Sequence, residues 1–458
     1  SDTETILHGF EQWGKDVLKK IRGMFVFVVY DLEKQTLFGA RDFFGIKPMY
    51  YTILDDGTFM FSSEIKTFMA HPNFHPELNK DSLKSFLMNQ YNDLHETFFK
   101  GVYRFPEGHY FTYEAGDLKI EKYWDVEFNP SNLSFEEEVK KIDESVTESI
   151  KLHNVADVPV GSFLSEGVDS SYVTSVLKPK EVFSVGFDNE VYDEVTAAKE
   201  LANSLDLNFN ETRVSGDDVF EAFDKIQYYL DEPDGNPSCV PLWFLTKFAR
   251  EKVTVALSGE GADELFAGYV NYGMHSHNGA IKSVTSGLTH LPTELKNGLA
   301  SVIKKMPHFP GQVHMYTNLA SPNKFYTGQS VIYDLHDPSI FQSDEVNQYL
   351  TADYRNDATI QDNYQADFKK VSKLDNVKQM QYIDFHHFML NDILQKADKM
   401  SMAHSLELRV PFLDPKVAET AARVPTKYLM NKNDTKYAFR QAAGKHLPQA
   451  WADRPKLG

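Results

Sequence analysis

The period of the apolar positions changes along the chain. Ile6, Leu7, Phe10, Trp13, Val17, Leu18 and Ile21 recur at helical spacing, with Ser1 or Asp2 placed to cap the helix. Short apolar runs follow: MFVFVVYD (24–31), TLFGARD (36–42), PMYYTIL (48–54) and TFMFSS (58–63) read as strands between Gly, Asp and Pro turns. HYFTYEAGDLKIEKYWDV (109–126) reads as a hairpin turning at Ala115-Gly116-Asp117. The Asn/Pro/Ser stretch FNPSNLS (128–134) reads as a linker. Beyond it, Val139, Ile142, Val146 and Ile150 share one helix face. Apolar runs then alternate with helical patterns. Strands are expected at PVGSFL (159–164), EVFSVGF (181–187), NFNETRV (208–214) and VTVALS (253–258). Helices are expected over Ser170–Leu177, Glu194–Leu205 and about 217–230, and from about residue 280 the pattern is mainly helical. This alternation predicts a parallel sheet with helices on both faces. The expected fold is α/β in two domains, 1–130 and 131–458.

Length and composition change this picture little. The 458 residues suffice for two or three domains, with a sizeable core. The net charge of −19 argues against sequence-independent nucleic-acid binding and is an ordinary source of solubility. A single cysteine, Cys239, excludes a disulfide framework and a cysteine-built zinc site. No apolar run is long enough to cross a bilayer and no secretory signal opens the chain, so no membrane partner and a cytoplasmic location are expected.

Two of the expected strands end in unusual polar turns. One is Leu164-Ser165-Glu166-Gly167-Val168-Asp169-Ser170-Ser171, the other Leu257-Ser258-Gly259-Glu260-Gly261-Ala262-Asp263-Glu264. In an open parallel sheet, ligands sit beyond the carboxyl ends of the strands. Small residues let backbone N–H groups approach an anion, a helix N-terminus adds partial positive charge, and serines add donors. The aspartates fit beside phosphate when a metal lies between, and Mg²⁺ takes one or two carboxylates plus phosphate oxygens. Asp169 and Asp263 are therefore candidates to hold a Mg²⁺-polyphosphate jointly. The plain alternative is that each turn only starts a helix, but the repetition after two apolar strands favours a ligand. Neither a Walker-type loop nor a dinucleotide fingerprint is present.

The S-x-G-x-D-S-S turn after a strand resembles the PP-loop of ATP pyrophosphatases. SGEGADELFAGY (258–269), DEPDGNPSCVPLWFLT (231–246), KADKMSMAHSLELRVPFLD (396–414) and RPKLG (454–458) together resemble the asparagine synthetase family. GMFVFVVYD (23–31), RDFFGIKPMYY (41–51) and FSSEIK (61–66) are similar to its class II glutamine amidotransferase half. The resemblance implies an N-terminal α+β, Ntn-type amidotransferase domain, incomplete here. It implies next a doubly wound, HUP-like PP-loop domain with a helical C-terminal part.

By residue, the resemblance implies ATP contacts at Leu164, Ser165, Gly167, Asp169, Ser170 and Ser171, an adenine pocket at Val185 and Gly186, and further nucleotide contacts at Ser258 and Gly259. It implies Mg²⁺ ligands at Asp169 and Asp263, catalytic roles for Glu260 and Lys456, and binding of the glutamine amino group by Asp2. The implied substrates are ATP, aspartate and glutamine or ammonia. The implied chemistry joins the aspartate side-chain carboxylate to the α-phosphate, releases pyrophosphate, and lets ammonia displace AMP. Lys456 and Mg²⁺ would then offset charge on the phosphates, and Glu260 would take a proton from ammonia.

Two departures stand out. Glu166 occupies a position where the family often has a small residue, and its carboxylate is expected to point outward. The cysteine nucleophile, an arginine and the N-G-E segment that the family places before S-D-T-E are not in this chain. It is therefore expected to be a partial record of a longer protein, cut at both ends. The alternatives are a related amide-forming enzyme, β-lactam synthetase-like or peptide-cyclising, and a non-catalytic nucleotide sensor. The β-lactam enzymes carry tyrosine where Glu260 stands, which favours asparagine. Oligomeric state stays open, a homodimer included.

The remaining features read plainly. Cys239 is expected to be a packed thiol. His386 and His387 are adjacent on a helix and so do not share a face for a metal. Met400 and Met402 are expected in the core. Asp398, Glu407 and Arg409 are candidates either to contact substrate or to form a buried ion-pair network shaping the pocket, and the network is the favoured reading.

Overall fold

The computed structural model describes residues 1–187, 195–269, 272, 291–307, 343–356, 360–431 and 434–454. The chain divides into two compact units: Ser1–Asn79 with His95–Glu127, and Lys80–Leu94 with Phe128–Gly458. Lys80–Leu94, which the sequence reading leaves inside the first domain, cluster with the second unit.

The first unit opens with helix α1 (Asp2–Trp13), capped by Ser1, whose hydroxyl accepts from the Glu4 N–H while Glu4 reaches back to the cap. The helix does not run on to Ile21. It stops at Gly14, at a φ of 54°, and a 3₁₀ segment over Gly14–Lys19 turns Val17 and Leu18 into the core. Seven strands follow: β1 (Val26–Asp31), β2 (Thr36–Arg41), β3 (Tyr50–Ile53), β4 (Phe59–Ser62), β5 (Val102–Arg104), β6 (His109–Glu114) and β7 (Asp117–Lys122). They form two antiparallel sheets, β1-β2-β6-β7 and β4-β3-β5. The RDFFGIK motif organises the turn after β2. Buried Arg41 donates to the carbonyls of Gly45, Lys47 and Phe105, and buried Asp42 accepts from the amides of Phe44, Ile46 and Lys47.

In the second unit, helix α2 (Lys80–Asn89) precedes a parallel α/β core. Helix α3 (Phe135–His153) is capped by Ser134 and buries Val139, Ile142, Val146 and Ile150, the stripe that its spacing predicts. The core then alternates β8 (Val160–Phe163), α4 (Val168–Leu177), β9 (Glu181–Phe187), α5 (Val195–Ser204), β10 (Asn208–Val214), α6 (Gly216–Leu230), α7 (Cys239–Ala249), β11 (Val255–Leu257) and α8 (Ala262–Phe266). β12 (Glu407–Arg409) completes the sheet after further helices. All neighbours pair in parallel, in the order β10-β9-β8-β11-β12. The order reverses between β8 and β11, so this is a doubly wound sheet whose crevice opens beyond those two strands. Phe163, Phe183, Ala256, Leu406 and Leu408 form the apolar core at the sheet. Among the described residues, no helix is long and apolar enough to cross a membrane.

Candidate functional site

The two acid-bearing turns leave the carboxyl ends of β8 and β11, the pair flanking the reversal of strand order. They touch. A side-chain carbon at Gly259 would lie 2.9 Å from both the Asp169 Cβ and the Ser170 backbone N, so only glycine permits this approach. The first turn is held by its own serines. Ser165 N–H donates to Ser170 Oγ at 3.1 Å, the two hydroxyls lie 2.9 Å apart, and Gly167 N–H donates to Ser165 Oγ at 3.2 Å. Helix α4 then starts at Gly167 with no side-chain cap, so its first N–H groups stay available to an anion. The buried hydroxyls of Ser171 and Ser258 have no hydrogen-bond partner among the described residues.

Leu164 N–H donates to Phe183 O at 2.9 Å, which sets the first turn beside the end of β9, where Val185 and Gly186 lie. Ser184 Oγ donates to the Leu164 carbonyl. The second turn is tied to β12 by Ser258 N–H donating to Arg409 O at 2.9 Å.

Asp169 and Asp263 converge on one nitrogen. Lys436 Nζ lies 2.6 Å from Asp169 Oδ2 and 2.7 Å from Asp263 Oδ1. Its side chain is 3% exposed and its backbone has a φ of 56°, an uncommon conformation for a residue with a side chain. Burial alone would lower the lysine pKa, but Asp169 and Asp263 more than offset it, and the ammonium is held charged. Gly268 leaves room for this arrangement: a side-chain carbon there would sit 1.9 Å from Asp263 Oδ1 and 2.1 Å from Lys436 Cε. Two carboxylates delivered by two turns to one point suit a divalent cation shared with phosphate. The lysine brings its own positive charge to the same point.

Other expected site residues fall as follows. Glu260 is half-buried on the second turn, and its carboxylate acts electrostatically on Lys396 and Asp392. Glu166 does not point outward. It is 9% exposed, and its Oε2 lies 3.8 Å from Nε of Arg454, a cation that offsets a carboxylate placed in a phosphate loop. Asp2 is exposed in the first turn of α1, where its Oδ1 accepts from Thr3 N–H at 2.8 Å. Lys456 lies outside the described residues.

Cys239 is buried at the start of α7, where burial pushes its thiol pKa up and keeps it protonated. Met400 is fully buried, but Met402 is 47% exposed, because the helix turns that position outward. Arg409 pairs with Glu407 at 2.7 Å and donates to the carbonyls of His153 and Val155. The sequence reading missed Lys436. Nothing local marks it; the signal available was the need of two converging aspartates for a cation.

Two family profiles match the chain: asparagine synthase over residues 141–458 and a glutamine amidotransferase domain over residues 1–124. The chain belongs to the asparagine synthase family. The protein of Bacillus subtilis (strain 168) named asparagine synthetase [glutamine-hydrolyzing] 1 is 35% identical over 464 residues, spanning 100% of this chain and 71% of that protein. A putative asparagine synthetase [glutamine-hydrolyzing] of Mycobacterium tuberculosis (strain ATCC 25618 / H37Rv) is 34% identical over 469 residues, spanning 100% of this chain and 70% of that protein. The amidase chry2 of Gibberella zeae is 26% identical over 479 residues, spanning 98% of this chain and 69% of that protein. The chain is thus an enzyme of the asparagine synthase family, with a parallel-sheet α/β unit and a helical C-terminal part.

Proposed function

We propose that the second unit activates aspartate by adenylation and amidates it to asparagine, releasing pyrophosphate and AMP. The nitrogen comes from glutamine, by way of the first unit, or from free ammonia. The observation that carries this reading is the convergence of the turns after β8 and β11 on one cation, at the reversal of the sheet.

In this mechanism the uncapped start of α4 and the hydroxyls of Ser165, Ser170 and Ser171 hold the β- and γ-phosphates, and Ser258 and Gly259 border the nucleotide from the second turn. Val185 and Gly186 line the adenine side. Lys436 keeps Asp169 and Asp263 fixed and adds positive charge near the leaving pyrophosphate. Asp169 and Asp263 would hold Mg²⁺, which when bound supplies further neutralisation of the phosphates. A side-chain carboxylate oxygen of aspartate attacks the α-phosphorus, the bond to the β-phosphate oxygen breaks, and pyrophosphate leaves. Ammonia then attacks the acyl carbon, AMP departs with the bridging oxygen, and Glu260 accepts the proton that the nitrogen loses. Lys456 is assigned the stabilisation of charge in both steps. In the first unit, Asp2 is assigned to the amino group of glutamine.

The test mixes the protein with ATP, Mg²⁺ and ammonium chloride and follows pyrophosphate. Release that requires aspartate and yields asparagine is expected. Release only with other carboxylates would assign the chain to a different amide-forming reaction, and ATP binding without release would make it a sensor.

A further inference from the structure

The phosphate turn after β8 carries one side chain whose charge works against an anion. Glu166 stands between Ser165 and Gly167 and is buried, and among the described residues its Oε1 accepts no hydrogen bond. A carboxylate kept from water needs a counter-charge, and a polyphosphate arriving at the same turn sharpens that need. Arg454 supplies it, with its Nε 3.8 Å from Glu166 Oε2. That separation is an ion pair rather than a hydrogen bond, so the contact depends on charge more than on shape.

Arg454 is itself held in place. Arg440 Nη1 donates to the carbonyls of Ala452 and Arg454 at 3.0 and 2.7 Å, and Arg440 Nε donates to Thr435 O at 3.0 Å. Ala452 ends the short helix Gln449–Ala452, and the Arg454 guanidinium lies 6.0 Å from the ring centre of Trp451. Arg440 belongs to the helix Tyr437–Ala443, which begins directly after Lys436. One helix therefore carries both attachments to the nucleotide turns. Lys436 grips Asp169 and Asp263 at its start, and Arg440, one turn later, steadies the backbone of Arg454 beside Glu166. Lys456, assigned to both chemical steps, follows Arg454 by two residues in the sequence.

We propose that Glu166 and Arg454 form a positioning pair for the nucleotide site. Glu166 anchors the segment that leads to Lys456, and Arg454 cancels the charge of that anchor beside the phosphates. The effect on turnover rests on the amidation reading above, whereas the effect on ATP binding does not. The two roles separate when each charge is removed in turn. Without Arg454, the buried carboxylate stays and repels the nucleotide. Without the charge of Glu166, the turn binds ATP but the segment loses its ionic anchor. With both charges gone the repulsion disappears, and the segment is still unanchored.

The test compares the full chain with Glu166→Gln, Arg454→Met, Arg454→Lys and the double variant Glu166→Gln/Arg454→Met. Calorimetric titration reads the Kd for ATP with Mg²⁺, and pyrophosphate release with aspartate and ammonium reads kcat and KM. Arg454→Met should raise the Kd for ATP at least about tenfold, the scale of two like charges a few ångströms apart in a partly screened site. The double variant should return to within about threefold of the unaltered protein, no more than a weak hydrogen bond is worth. Arg454→Lys keeps the charge and should stay within the same range of about threefold. In Glu166→Gln, kcat should fall about tenfold, as expected when a group near the reacting atoms is displaced. Arg454→Met and the double variant should lose the same factor and no more, because one anchor is lost once. The KM for aspartate should stay within about twofold throughout. A double variant that binds ATP as weakly as Arg454→Met, kcat losses that multiply in the double variant, or an unchanged kcat in Glu166→Gln would overturn the pair. Absence of aspartate-dependent release from the unaltered protein would instead overturn the amidation reading, and the ATP affinities would then decide the pair alone.

Discussion

Replacing Lys436 by methionine removes the charge that joins the two turns and keeps most of the side-chain volume. The ammonium is nearly inaccessible, and both carboxylates that it meets are about one-fifth exposed. Breaking a buried ion pair costs roughly 3–5 kcal/mol, because the abandoned charge stays buried. Partial exposure of Asp169 and Asp263 points to the lower end. At roughly 2 °C per kcal/mol for a unit of this size, Lys436→Met should lower Tm by about 6 °C. The two carboxylates left without their lysine should then recruit a divalent cation. Saturating Mg²⁺ at about 100 times its Kd contributes roughly 2.7 kcal/mol, so Mg²⁺ should restore about 5 °C to the variant. It should restore less to the unaltered protein, whose lysine already occupies the point of convergence. Differential scanning calorimetry with EDTA and with Mg²⁺ reads both effects. An unchanged Tm in Lys436→Met, or equal Mg²⁺ shifts in the two proteins, would refute the reasoning.

Two more outcomes follow from the same structure. Gly259→Ala places a methyl group against the Asp169 Cβ and the Ser170 backbone. Separating the turns at about 1–3 kcal/mol should weaken ATP binding about fivefold or more in calorimetric titration, and unaltered affinity would count against the close approach. Two buried bases give opposed pH dependences. His387 lies between Asp93 and Asp367 at 2.9 and 3.0 Å; burial would lower its pKa, but the two acids raise it to about 10. Its stabilisation is complete below about pH 6.5 and fades as pH rises towards 10. Lys378 is pushed down to about 7 by burial, against Asp375 and Glu138. Between about pH 7 and 10.5 the unfolded chain therefore holds the extra proton, and stability rises with pH. The two slopes offset each other. Lys378→Met should expose a fall of up to about 1.4 kcal/mol per pH unit between pH 7 and 10, and His387→Gln a comparable rise. Denaturant titrations at pH 7, 8 and 9 check this, and two variants that track the unaltered protein would contradict it.

Much of the architecture was legible because its signals are local. The stripe Val139, Ile142, Val146 and Ile150 is buried as its spacing demands, and the alternating runs after residue 155 became parallel strands with helices between them. The pairing of the two acid turns was legible too, since both follow apolar strands. What escaped the sequence depends on contacts distant along the chain. Gly14 ends α1 although the apolar spacing continues, because burying Val17 and Leu18 under Phe38 and Tyr110 requires a change of direction. The segment Lys80–Leu94 joins the second unit through contacts such as Asp93 with His387, nearly three hundred residues away. Glu166 turns inward because Arg454 waits there, and Lys436 reaches Asp169 from far along the chain.

The central claim is that the convergent turns bring the α-phosphorus of ATP to an acceptor carboxylate. Its most direct test supplies aspartate labelled with ¹⁸O in the side-chain carboxylate, together with ATP, Mg²⁺ and ammonium, and examines the products by ³¹P NMR. One ¹⁸O should appear in the phosphate of AMP, with unlabelled pyrophosphate alongside. Label in inorganic phosphate with ADP as the second product, or AMP carrying no label, would contradict the account.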